Sequence, residues 1–223
     1  MAKEITVALV GNPNSGKTTV FNNLTGAHQH VGNWPGVTVE RKEGNYRYQG
    51  YSVKVVDLPG VYSLTAYSLD EVVARNFIVE GKPDVVVDIV DASNLERNLY
   101  LTVQLIELEA NLVVALNMMD VAKSRGYQID VDRLSELLGA PVVPMVASRK
   151  EGTEELTKQI ANVFDGKAIK KKIKLYYGTE LEGHIGELET LISRDEELSH
   201  QFPPRWLAIK LLEEDKEVLQ KLG

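Results

Sequence analysis

The chain has 223 residues, of which 43% are hydrophobic and 26% charged, a composition typical of a globular protein with one or two domains and a sizeable core. Its net charge of −7 argues against a general nucleic-acid binder, because binding to a phosphate backbone needs a basic surface. The absence of cysteine excludes disulfides, thiolate metal sites and a thiol nucleophile. We expect a soluble, cytoplasmic chain, since neither a signal peptide nor a run of about 18 apolar residues is present.

Short apolar runs alternate with helical patterns, which predicts an α/β fold with a mostly parallel sheet flanked by helices. A helix is expected from Lys17 to about Thr25, and a polar loop over residues 27–37. The turn Gln49-Gly50 predicts an antiparallel hairpin between the second and third strands. The predicted strands are residues 5–11, 38–48, 51–57, 84–92, 112–117 and 141–146.

The pattern changes after about residue 165. The basic run at residues 167–174 is read as a solvated linker. Residues 175–222 show helical periodicities interrupted by Pro203-Pro204. We therefore predict two domains, an α/β domain at 1–165 and a small all-helical subdomain at 166–223.

The segment GNPNSGKT (11–18) follows the first strand, opens the first helix and fits G-x-x-x-x-G-K-[ST] at each fixed position. Backbone N–H groups at such a helix N-terminus surround phosphates, and the helix dipole favours the anion. Gly11 and Gly16 permit the tight turn, and Lys17 reaches the β- and γ-phosphates. The predicted nucleotide-binding residues here are Gly11, Asn12, Pro13, Asn14, Ser15, Gly16, Lys17, Thr18 and Thr19.

Three oxygen-bearing side chains are predicted to hold Mg²⁺ beside the phosphates. Thr18 offers the hydroxyl of the phosphate-binding loop at residues 11–18, the P-loop. Asp57 ends a strand in Asp-Leu-Pro-Gly, where a carboxylate can hold the ion through water. Thr38, in the loop HVGNWPGVTVE (30–40), adds its hydroxyl when a triphosphate is bound. Backbone N–H groups of Gly60 and Thr38 are expected to reach the γ-phosphate.

The run LVVALNMMD (112–120) reads as a buried strand that ends in polar side chains. The Asp120 carboxylate can accept both N–H donors of a guanine edge, and Asn117 can tie the base to the P-loop. This is the guanine-reading element of GTPases, with Met118 in place of the usual lysine and able to cover the base. Asp120 can cap the next helix at the same time. Backbone donors for guanine O6 are expected at Ala147 and Ser148.

With these elements the sequence resembles the cytosolic GTPase domain of the FeoB ferrous iron transporter family. The resemblance covers essentially the whole chain and implies a Ras-like P-loop GTPase domain followed by a helical domain. It is carried by GNPNSGKT, VGNWPGVTVE, DLPGVYSL, NMMD and PRWLAIKLLE (204–213).

The resemblance also implies partners and cofactors. In the family this unit precedes a membrane domain that carries Fe²⁺, so the expected partners are GTP, GDP and that domain, at the cytoplasmic face of the cell membrane. The helical part would couple to it and favour GDP binding, and a homo-oligomer is also open. Related GTPases hold K⁺ beside the phosphates, here through Asn14 and the carbonyls of Gly32 and Trp34; alternatively, Asn14 closes the turn by a local hydrogen bond.

Val61 stands where many GTPases have the glutamine that orients the attacking water. Asp70 and Glu71 are candidates for that task only by proximity. We therefore expect slow GTP hydrolysis that rests on electrostatic stabilisation at the phosphates. The residues expected to act there are Lys17, Thr38, Gly60 and Asn14.

Three other functions stay open: a nucleotide-sensing switch with negligible turnover, a ribosome-assembly GTPase, and an ATPase. The second would append a basic RNA-binding domain, whereas residues 175–223 are rich in glutamate, and Asp120 argues against adenine. His28 and His30 lack a carboxylate or cysteine cluster, so no iron site is predicted there. Trp34 is expected to be exposed, since its loop is polar and rich in glycine and proline.

Overall fold

The computed structural model describes residues 3–26, 28–168 and 173–222. The chain forms two compact units, the first made of Met1–Ile106 and Ala110–Ile173 and the second of Glu107–Glu109 and Lys174–Gly223. Part of the predicted linker, residues 169–172, lies outside the described residues. The predicted division into domains at 1–165 and 166–223 remains a prediction.

A sheet of seven strands in the order β2-β3-β4-β1-β5-β6-β7 forms the first unit. The strands are β1 (Lys3–Gly11), β2 (Gln29–Asn33), β3 (Glu40–Tyr48), β4 (Tyr51–Asp57), β5 (Val85–Asp91), β6 (Leu112–Asn117) and β7 (Val142–Pro144). The helices that begin in this unit are α1 (Lys17–Thr25), α2 (Leu69–Val79), α3 (Leu95–Glu107), α4 (Met119–Ser124), α5 (Val131–Leu138) and α6 (Thr153–Phe164).

The sheet is mostly parallel, which confirms the predicted fold class. β1 lies between β4 and β5, parallel to both, and β6 and β7 continue the parallel part. Strands buried on both faces read as near-continuous apolar runs, as in Leu112–Asn117, which is apolar up to its last residue. The predicted hairpin of β3 and β4 is antiparallel, and its turn at Gln49-Gly50 has positive φ angles of 41° and 87°, the conformation of tight hairpin turns.

The loop predicted at residues 27–37 is partly wrong, because Gln29–Asn33 forms the edge strand β2, antiparallel to β3. All five residues of β2 are exposed. With no buried face, the strand has no alternation of apolar and polar residues for the sequence to show. Its backbone hydrogen bonds to β3 define it instead.

The main core lies between one face of the sheet and the helices α1 and α6. Phe21 of α1 is fully buried there, and burying a side chain of this size stabilises the fold by about 1.5–3 kcal/mol. The central residues of this core are Ile5, Val7, Leu9, Val20, Phe21, Val55, Val87, Ile89, Val113, Leu156 and Ile160.

The second unit is all-helical, as predicted. Pro204 stands at the first position of α9, where its missing N–H and fixed φ suit a helix start. Trp206 is buried and stacks on Phe202 at 5.8 Å between ring centroids. Its helices are α7 (Thr179–Ile192), α8 (Glu196–Gln201), α9 (Pro204–Leu212) and α10 (Lys216–Leu222). Within the described ranges, no helix of the chain combines the length and apolarity needed to cross a bilayer.

Candidate nucleotide-binding site

The carboxyl ends of the central strands carry the predicted site residues. In open parallel sheets this edge is where ligands bind. The P-loop connects β1 to α1, Asp57 ends β4, and Asn117 ends β6 opposite Asp91 of β5. The sheet therefore brings the predicted phosphate-binding and base-reading residues to one edge.

The P-loop adopts a turn that depends on its glycines. Gly16 has φ 92°, and a Cβ there would lie 2.3 Å from Nδ2 of Asn117. A Cβ on Gly11 would lie 2.6 Å from the Ile89 carbonyl oxygen. Asn14 also has a positive φ of 65°, and its side chain is exposed. A side chain at Gly11 or Gly16 would therefore push the loop away from β5 and from Asn117.

Lys17 and Asp57 form an ion pair at the base of the loop. Burial raises the pKa of the Asp57 carboxyl above its ordinary value, and the nearby Lys17 ammonium partly opposes that rise. The lysine that is expected to reach the phosphates thus neutralises the carboxylate that is expected to hold Mg²⁺. A bound nucleotide with its cation would supply each of them with a new partner of opposite charge.

The other predicted ligands of Mg²⁺ are exposed. Thr18 lies in the first turn of α1, and Thr38 lies between β2 and β3. In the part of the chain that the structure describes, no hydrogen bond joins Thr38 to Thr18 or Asp57. Thr18 and Asp57 flank the P-loop lysine, whereas Thr38 is held on a separate loop.

Asn117 joins three parts of the site. It is 3% exposed, and its Nδ2 donates to the Ser15 carbonyl oxygen in the P-loop at 2.9 Å. Its Oδ1 accepts the Ala147 N–H at 2.9 Å. The Ala147 carbonyl in turn accepts from Nδ2 of Asn23 in α1 at 2.8 Å. The Ala147 N–H, expected to face guanine O6, is therefore occupied by Asn117, and Ser148 is the next backbone donor along the loop.

Met118 and Asp120 follow on the same loop. Met118 has φ 60° and precedes the first residue of α4. Asp120 lies in the first turn of α4, where one carboxylate oxygen accepts the Val121 N–H at 3.0 Å. The other oxygen lies 3.7 Å from the Arg149 guanidinium. Sequence reasoning missed Arg149, since nothing in the sequence shows that a side chain on the 147–149 turn meets this carboxylate.

Trp34 is buried, so the expectation of an exposed side chain was wrong. Only 8% of it is accessible, with the Phe77 ring of α2 edge-on at 5.3 Å and the Arg41 guanidinium 4.6 Å from its centroid. The main-chain N–H of Trp34 donates to the Val39 carbonyl at 2.9 Å, and its main-chain carbonyl accepts the Val37 N–H at 3.3 Å. The polar composition of the loop predicted exposure, but α2 supplies an aromatic partner that is distant in sequence.

Glu71 closes the start of α2. Its carboxylate accepts the N–H groups of Tyr67 and Ser68 at 2.9 and 3.3 Å, while the Ser68 hydroxyl accepts the Glu71 N–H at 3.2 Å. This reciprocal arrangement is a capping box. The Ser63 hydroxyl also donates to Glu71 at 2.8 Å. The carboxylate thus holds the end of the loop that follows Asp-Leu-Pro-Gly.

Comparison with known proteins shows which family this chain is similar to. The family described as ferrous iron transport protein B matches residues 5–160, and the FeoB cytosolic helical domain matches residues 177–223. The Fe(2+) transporter FeoB of Salmonella typhi is 48% identical over 218 residues, covering 96% of this chain and 27% of that protein. The chain thus spans about a quarter of the length of the curated relatives it matches.

The chain is also similar to solved structures of FeoB domains. The cytosolic domain of the T. maritima FeoB iron transporter in a GDP form superposes with a TM-score of 0.92 at 41% identity, covering 98% of this chain and 85% of that one. Its GMPPNP form gives 0.90 at 41% identity, covering 97% and 84%. The FeoB G-domain from Methanococcus jannaschii is 55% identical with a TM-score of 0.66, covering 73% of this chain and 99% of that one.

Proposed function

Because the chain belongs to the FeoB ferrous iron transport family, we propose that it binds GTP and GDP and hydrolyses GTP slowly, as part of a protein that carries Fe²⁺ across a membrane. The observation that carries this proposal is the pair of hydrogen bonds of Asn117, whose side chain donates to the Ser15 carbonyl of the P-loop and accepts the Ala147 N–H. Relatives solved in GDP and GMPPNP forms support nucleotide binding.

Phosphate binding would rest on the P-loop. The N–H groups at the start of α1 point along the helix axis toward an anion, and the helix dipole adds to their attraction. Lys17 would turn from Asp57 to the β- and γ-phosphates, where a fixed positive charge stabilises the transition state. Gly60, which lies against Pro13, would offer its N–H to the γ-phosphate.

The residues at the site fit Mg²⁺. A buried carboxylate with a raised pKa, here Asp57, gains most from a nearby cation, and hydroxyl and carboxylate oxygens are the ligands that Mg²⁺ prefers. Thr18 and Asp57 would hold the ion, joined by Thr38 when the loop between β2 and β3 closes. When bound there, the ion would supply positive charge that offsets the negative charge of the phosphates.

K⁺ is proposed as the second cation. The Asn14 side chain is exposed on the P-loop, free to turn toward an ion beside the phosphates. The carbonyls of Gly32 and Trp34 would complete the site after the loop rearranges, because the Trp34 carbonyl now accepts the Val37 N–H. A monovalent cation there would take the place of an arginine finger.

Turnover is proposed to be slow because the position after Gly60 carries Val61, which is buried and has no polar group. Glu71 is committed to the start of α2, so it does not supply a free base. Backbone groups of this chain would then have to orient the attacking water.

The proposal extends to the role of the second, helical unit and to the location of the chain. The relatives are described as Fe(2+) transporters, and their solved fragments as cytosolic domains. We place this chain at the cytoplasmic face of the membrane, where the second unit would transmit nucleotide state to the membrane domain. The ribosome-assembly alternative has no support among these relatives.

The deciding measurement is steady-state GTP hydrolysis in KCl and in NaCl at equal ionic strength, for the wild type and Asn14→Ala. We expect a rate at least about tenfold higher in KCl, lost in the variant. Equal rates in both salts would remove K⁺ from the mechanism. Tight GTP binding without measurable turnover in either salt would instead support the nucleotide-sensing switch, and preference for ATP in a competition assay would contradict the guanine assignment.

A further inference from the structure

The segment at residues 58–64, which follows Asp57, is held by three backbone N–H groups. Leu58 donates to the Leu9 carbonyl at 3.0 Å, and Val61 donates to the Gly11 carbonyl at 3.2 Å. Leu64 donates to Oε1 of Gln104 at 2.6 Å. The first two acceptors are main-chain atoms of β1, whereas the third is a side chain of α3.

The bond from Leu64 to Gln104 is buried. Leu64 is 2% exposed and Gln104 is 8% exposed, so water does not compete for either group. A buried N–H that loses its acceptor destabilises the fold by the full free energy of its desolvation. Gln104 therefore fixes the position of the Leu64 main chain, and it is the only one of these three acceptors that a substitution can remove.

The hydrogen bond from Leu64 to Gln104 affects the part of the segment that is proposed to act in hydrolysis. Gly60, whose N–H is assigned to the γ-phosphate, lies between the fixed points at Leu58 and Leu64. Val61 contributes no polar side chain, so the main chain of this segment must supply the geometry around the γ-phosphate and the water. If the Val61 bond to Gly11 opens when a triphosphate enters, Leu64 remains the point about which the segment turns.

We infer that Gln104 is a positioning residue for GTP hydrolysis, acting through the Leu64 N–H on the placement of Gly60. The inference rests on the proposed function. It requires that loss of the Gln104 acceptor slows the chemical step more than it weakens GDP binding, since GDP has no γ-phosphate for Gly60 to contact.

The test compares two buried amides of the same helix. Gln104→Met keeps the length of the side chain but removes the acceptor. Asn98→Leu is the matched control, because Asn98 is also buried and its Oδ1 accepts a backbone N–H, that of Asp91 at 3.2 Å, which is outside the 58–64 segment. Gln104→Glu retains an oxygen acceptor for Leu64.

We expect kcat of Gln104→Met to fall about tenfold, with the Kd for GDP within about twofold of wild type. Asn98→Leu should lower the melting temperature about as much as Gln104→Met does, but leave kcat unchanged. Gln104→Glu should recover most of the kcat that Gln104→Met loses. Unchanged kcat in Gln104→Met, equal losses of kcat in both helix variants, or a Gln104→Glu enzyme as slow as Gln104→Met would each overturn the inference.

The test also separates this inference from the proposed function. If the wild type binds GTP but shows no turnover, the hydrolysis proposal fails on its own. Gln104 is then judged by the ratio of the Kd values for a non-hydrolysable GTP analogue and for GDP. Gln104→Met should raise that ratio while Asn98→Leu leaves it unchanged; the same ratio in all three proteins overturns the role of Gln104.

Discussion

Asp88 is a carboxylic acid in the middle of β5 with almost no contact with solvent. Its side chain accepts a hydrogen bond from the Thr102 hydroxyl of α3, at 2.6 Å. Burial raises the pKa of Asp88 to about 7, although the Thr102 bond acts in the opposite direction. The folded protein therefore keeps a proton on Asp88 under conditions where the unfolded chain has lost it.

This carboxyl predicts a pH dependence of stability. Between the ordinary value of 3.8 and about 7 the folded state binds the extra proton, so stability falls as the pH rises through that window. The slope for one such group is about 1.4 kcal/mol per pH unit. Asp88→Asn removes the group, so its stability relative to wild type should increase from pH 4 to pH 7 and then level off. Urea unfolding of both proteins across this range measures the difference.

Asp165 provides a control of opposite sign. Hydrogen bonds from Lys167 and Tyr51 lower its pKa to about 2, so its contribution is present above the unfolded value of 3.8 and is lost as the pH falls through about 2. Asp165→Asn should be less stable than wild type at pH 7, with the gap closing in acid. Parallel pH profiles for the wild type and Asp88→Asn would show that Asp88 is ionised in the folded protein.

At the scale of elements, the loop between β2 and β3 is fastened to α2 by an aromatic contact. The Trp34 and Phe77 rings pack in a T-shaped arrangement with an interplanar angle of 67°, and the Arg41 guanidinium lies over the Trp34 ring. Such pairs contribute about 0.5–1.5 kcal/mol beyond the area they bury. The loop that carries Thr38 is thus packed on the helix that begins at the capping box of Ser68 and Glu71.

Phe77→Ala should release this loop. We expect the emission of Trp34 to shift to longer wavelength and its quenching by iodide to increase, because the ring loses its apolar neighbour. Trp206→Phe makes Trp34 the only tryptophan, since the chain has two. Phe164→Ala is the matched control: Phe164 packs edge-on against Tyr51 at 6.1 Å and makes no such contact with Trp34. An unchanged Trp34 spectrum in Phe77→Ala would mean that other contacts hold the loop.

The sequence predicts some parts of the fold and of the site, and misses others. The P-loop and the Asn117 loop were predictable because motif, strand and helix follow one another within a few residues. The exposed edge strand β2 gave no pattern, since its stability comes from hydrogen bonds to β3. The burial of Trp34, the Arg149 contact to Asp120 and the Gln104 bond to Leu64 each join residues far apart in the chain. No local pattern encodes such contacts.

At the scale of the whole molecule, each compact unit contains one tryptophan. Trp34 belongs to the first unit and Trp206 to the second. The second unit is held by Arg205, whose guanidinium donates two bonds to Glu182, at 2.7 and 3.0 Å, and one to the Leu175 carbonyl at 2.7 Å. The forked pair is mostly buried, and all its partners lie in the second unit. We therefore expect loss of this pair to change the emission of Trp206 rather than that of Trp34.

Arg205→Met in a Trp34→Phe background tests this. The substitution removes both guanidinium donors of the Glu182 carboxylate and leaves it the Tyr177 N–H at 3.1 Å. We expect it to destabilise the second unit, because hydrogen bonds to charged groups are strong and a half-broken pair is costly. Thermal unfolding followed by Trp206 emission should show a lower midpoint. The affinity for GDP should stay within about twofold of the background protein, since the described hydrogen-bond and ion-pair partners of Arg205, which are Leu175, Glu182 and Glu189, all belong to the second unit. A variant that loses GDP affinity in step with its melting temperature would show instead that the helical unit supports the nucleotide site directly.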